Sequence, residues 1–71
     1  MGNENIARWR AEAIHFEKLA KAKRAACRAA RAEGDKLKAL LALDRANEYS
    51  VTARSFRTAI RAALSTTGSQ S

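Results

Sequence analysis

The side chains whose type and spacing suit a chemistry are the arginines and lysines, and that chemistry is the binding of polyanions. Arg10, Lys21, Arg24, Arg28 and Arg31 fall on one flank of a helical wheel, with Glu17 among them. Arg54, Arg57 and Arg61 form a second stripe at i, i+3 and i+7. Guanidinium forks pair bidentately with phosphates, and the release of condensed counterions gives an affinity independent of base sequence. Such contacts position a protein on a duplex without reading it. The competing use of the same charges is a solvated surface that keeps an alanine-rich chain in solution. Their grouping on one flank favours the first use. An i,i+4 pair between Glu17 and Lys21 offsets part of the stripe, by about a few tenths of a kcal/mol.

The charge balance is large for the length. Fourteen Lys and Arg stand against seven Asp and Glu in 71 residues, a formal charge of +7. The acids Glu33, Asp35, Asp44 and Glu48 gather near the middle of the chain.

Other chemistries lack their residues. His15 has no second His or Cys at ligand spacing, Ser50, Ser55 and Thr58 have no base partner, and the glycines Gly2, Gly34 and Gly68 make no phosphate-cradling loop. No catalytic residue, metal site or cofactor is expected, and the chain reads as a non-enzyme. Zinc-finger spacing, a heptad zipper behind a basic region and an RNP aromatic signature are also missing. Trp9, Phe16, Tyr49 and Phe56 could stack on bases, but their spacing puts them on a packing stripe. Cys27 is the single cysteine, so no disulfide closes within the chain; it reads as a small apolar residue in a reducing cytosol. No run approaches the ~18 apolar residues of a membrane span. The MGNEN start has no apolar run of a signal peptide, and Ile6 stands where a myristoylation pattern wants Ser or Thr. A cytoplasmic location is expected. Trp9, Ile14 and Phe16 on a basic helix would suit a membrane surface, but a hairpin core explains them better.

The elements that must position the cations follow from helix chemistry. Residues from about Ile6 to Glu33 contain no Pro or Gly and are rich in Ala, the best helix former. Glu33-Gly34-Asp35 then reads as a stop, a turn and a restart: glycine enters the left-handed conformation that closes a helix, and aspartate caps the next. A second helical stretch runs to about Leu64. The fold class is all-α, an antiparallel two-helix hairpin turning at Gly34-Asp35. Residues 1–5 read as a polar lead-in with Asn3 or Asn5 as N-cap, 6–64 as the hairpin, and 65–71 as a disordered polar tail.

Two apolar stripes at 3,4 spacing support this fold. Ile6, Trp9, Ala13, Phe16, Ala20, Cys27 and Ala30 run from large to small, interrupted by Lys23. Ala39, Ala42, Ala46, Tyr49, Ala53, Phe56, Ile60 and Ala63 run from small to large. Folding at Gly34 brings small residues together near the turn (Cys27, Ala26 and Ala30 with Ala39 and Ala42). It also brings Trp9, Ala13 and Phe16 to Ile60, Phe56 and Ala53.

Leu37, Leu40, Leu41 and Val51 form a second apolar group. It reads as an interface for self-association or a partner; a break near 47–52, with Ser50 capping a third helix, is the competing explanation. A chain this short buries only about 60% of its unfolded surface, so assembly as a helical-bundle homodimer is expected to supply the missing core. The functional expectation is a small basic nucleic-acid-binding accessory protein. The alternative is a regulator or inhibitor, of mobile-element or phage accessory type, that occludes an acidic protein surface through its leucines and basic flank.

Overall fold

A computed structural model describes residues 2–69, with side-chain surroundings given for 4–65. Two helices pack against each other, α1 (Gly2–Ala32) and α2 (Lys36–Ser69). The hairpin is a narrow plank whose Cα extents are 56 × 16 × 12 Å.

The turn works as its residue types dictate. Gly34 has φ +81°, and its N–H donates to the Arg31 carbonyl at 3.0 Å while that of Asp35 donates to the Ala30 carbonyl at 2.9 Å. This pair of bonds is a Schellman closure, which satisfies carbonyls that the helix end would otherwise leave open. Asp35 then opens α2: its Oδ1 accepts the Lys38 N–H at 3.0 Å and its carbonyl accepts the Ala39 N–H at 3.1 Å. One residue thus ends the first helix and caps the second.

Both helices exceed the expected bounds. α1 already includes the 1–5 lead-in from Gly2 onward, so Asn3 and Asn5 lie inside it rather than capping it; Glu4 in the first turn suits the positive end of the helix dipole. α2 continues through 65–69, the part of the expected disordered tail that is described, because propagating an existing helix adds a backbone bond for each residue fixed. The rest of those two segments, Met1, Gln70 and Ser71, lies outside the described residues. Residues 47–52 fall within α2, where the Thr52 hydroxyl donates to the Glu48 carbonyl at 3.0 Å and that of Ser55 to the Val51 carbonyl at 3.1 Å. These back-bonds accommodate poor helix formers without removing a backbone bond.

Packing follows a seven-residue interval. Ile6, Ala13, Ala20 and Cys27 are buried in α1, and Ala39, Ala46, Ala53 and Ile60 in α2, together with Ala30. A strict heptad keeps one seam facing its partner as two helices wind gently around each other. Cys27, Ala30 and Ala39 cluster at the turn end, with Ala42 and Leu43 against them. Further out Phe16 stacks on Phe56, centroids 6.1 Å apart, and lies 6.0 Å from Tyr49. Small residues therefore meet near the turn and large ones towards the open end.

Candidate polyanion-binding face

Two cross-helix contacts fix the register. Arg24 Nη2 donates to Ser50 Oγ at 2.6 Å. Seven residues earlier in α1 and seven later in α2, Arg57 forks onto Glu17, Nε to Oε2 at 3.0 Å and Nη2 to Oε1 at 2.8 Å. Both contacts lie on the same side of the alanine seam.

The register merges the two arginine stripes. Arg10, Glu17, Arg24 and Arg31 recur at seven-residue intervals along the edge of α1 beside α2, with Lys21 and Arg28 one turn after Glu17 and Arg24. Between Arg10 and Lys21 this row holds no cation, only Ile14 and Glu17. Alongside that gap α2 presents Arg54 and Arg57, which share a shallow concavity with Glu17 and Ser50, and Arg61 one turn on. The result is one continuous row of cations. At a rise of ~1.5 Å per residue it runs roughly 31 Å from Arg10 to Arg31.

Glu17 is the acid within this row. The Arg57 fork holds its carboxyl below the usual carboxylate range, against an opposing effect of burial, and raises Arg57 in return. The expected Glu17–Lys21 pair is displaced by this fork across the helices, which offers a carboxylate two parallel bonds instead of one. Among the described residues Arg10, Lys21, Arg28, Arg31, Arg54 and Arg61 have no ion-pair partner. The face also accounts for the whole charge of the chain. Setting aside its eight cations and Glu17 leaves six basic and six acidic residues, which cancel.

The four residues of the expected apolar patch all stand on the solvent-facing side of α2. All are 60–69% exposed, but Leu40 lies beside Arg31 and Lys36 on the basic side. Leu41 lies across the seam with Lys23, Ala26, Lys38 and Ala42. Leu37 stands one turn before both Leu40 and Leu41. Val51 joins Trp9 and Phe56 at the other end of the same side. Adjacent positions on a helix differ by about 100°, so Leu40 and Leu41 lean to opposite sides of the outer surface on which Leu37 sits.

Elsewhere, His15 is exposed and edge-on to Phe16, and Cys27 is buried and free. Among the described residues no group of His, Cys, Asp or Glu could hold a metal ion, and no helix is long and apolar enough to cross a membrane. No protein-family model, curated protein or solved structure matches the chain.

Proposed function

We propose that the protein is a small, non-enzymatic nucleic-acid-binding accessory protein that acts as a homodimer and grips duplex phosphates through its basic face. The observation that carries this reading is the merging of two arginine stripes into one row holding the entire +7 charge. The row is about as long as one turn of a duplex, ~34 Å. None of the aromatic side chains belongs to it, since Phe16, Tyr49 and Phe56 pack together and Trp9 lies across the seam. Without a stacking platform the face suits phosphates better than unpaired bases.

The test is a salt titration of binding to a labelled duplex. If the six unpaired cations each meet a phosphate, log K falls against log salt with a slope of about −5. Arg24→Glu with Arg28→Glu abolishes binding, whereas Leu40→Ala leaves it intact. Binding lost before ~150 mM salt, or a double charge reversal without effect, rejects the reading. A second reading, an acidic protein partner, draws on Leu40 beside Arg31 and Lys36, an apolar contact that a phosphate does not use; it requires Leu40→Ala to abolish function.

A further inference from the structure

We infer that a second copy of this chain covers the side of the hairpin opposite the arginine row, with Trp9, Leu41 and Val51 within the contact. The inference rests on the chain being a homodimer, and it names the surface used. It is independent of whether phosphates are bound.

Large and small side chains are distributed against the usual order of a folded unit. The seam is mostly alanine, and among the described residues no large side chain is fully buried, while Leu37, Leu41 and Val51 stand 60–69% exposed. Burying one such side chain completely contributes about 1.5–3 kcal/mol. A two-helix unit that leaves these residues outside and alanines inside keeps much of its hydrophobic resource on its surface, and Trp9, Leu41 and Val51 border the side away from the arginine row.

Charge then selects the occupant. Two copies of a +7 chain repel each other wherever their arginine rows approach, whereas the remainder of the molecule is balanced, six charges of each sign. On the apolar side Lys23, Lys38 and Arg45 stand with Asp44 and Glu48 around Leu41, and Arg45 already pairs with Glu48 at 3.3 Å. A strip carrying both signs can meet its own reverse about a two-fold axis with opposite charges available. An acidic partner would instead be drawn to the other face.

The size is sufficient. A helical plank 56 Å long with a helix diameter of ~10 Å offers on the order of 1,000 Å² for the two copies together, the lower bound for a specific interface. Docking by this side yields a four-helix bundle with both arginine rows outward.

Trp9 is the only tryptophan and shares a concavity with Val51, Thr52, Ser55, Phe56 and Ala59, so the native chain carries its own reporter. The experiment follows mass by sedimentation and Trp9 by emission and acrylamide quenching over the same concentration series. The expected result is a doubling of mass accompanied by a blue shift and reduced quenching. Val51→Glu and Leu41→Glu shift the dissociation midpoint at least tenfold upwards, and Leu40→Glu leaves it within twofold. A single-chain mass up to ~100 μM overturns both this inference and the homodimer. A doubled mass with Trp9 unprotected, or one broken by Leu40→Glu and spared by Val51→Glu, overturns the inference alone. The Trp9 readout needs no variant, so it decides the question even where a substitution unfolds the chain.

Discussion

Glu17 shows how one side chain works against the face it belongs to and for the fold that carries it. Its carboxylate removes a unit of charge from a row of cations, yet its fork with Arg57 ties the two helices far from the turn. The pair is about half exposed, where solvent screens most of the attraction. Its clearest signature is therefore pH dependence. The folded-state pKa of Glu17 is lowered below an unfolded value of about 4.3, so its contribution is fully present above that value. It is lost as pH falls through the folded value. Arg57 stays protonated throughout and adds no slope of its own. Thermal unfolding of the native chain and of Glu17→Gln should differ at pH 7, and the gap should narrow as pH falls below the unfolded value and through the lowered folded one. A gap unchanged at pH 3 would show that the carboxylate plays no such part.

The helices meet through alanine, and this fixes what each can tolerate. Ala13 and Ala46 are wholly inaccessible to solvent. Ala46→Leu should lower stability by about 1–3 kcal/mol through overpacking, while Leu40→Ala on the surface changes it by less than about 0.5 kcal/mol. Thermal unfolding at matched concentration checks the pair, and equal effects would mean that the seam is loose. Most of this level was legible beforehand. Gly34-Asp35 announced the turn by residue chemistry, and the opposed runs of large and small side chains announced which ends meet. Helix bounds were not legible, because Asn3, Asn5 and the Ser and Thr of 65–69 have weak propensities that an adjoining helix overrides. Nor was the register. The Arg57–Glu17 and Arg24–Ser50 contacts join residues 40 and 26 positions apart, and periodicity along one helix carries no information about its phase against another. The continuity of the arginine row follows from that phase, so the candidate site was visible only as two disconnected stripes.

A plank with its net charge on one broad side has an asymmetry that the proposed second copy would convert into symmetry. In the proposed dimer, back-to-back docking would set two arginine rows facing away from each other, each free for its own polyanion. One duplex cannot reach both rows, because the DNA persistence length of about 150 bp resists folding a short segment around a narrow bundle. The proposed dimer would then be a bridge. An immobilised duplex of roughly 20–30 bp, saturated with protein and washed, should retain a second labelled duplex of the same length, with a steep salt dependence. Val51→Glu should lose this second capture while still binding the first duplex, since the arginine row of a single chain is complete. Arg24→Glu with Arg28→Glu should lose both. Capture that persists in Val51→Glu would mean that one hairpin holds two duplexes, and it would separate the phosphate contact from the pairing of copies on which bridging depends.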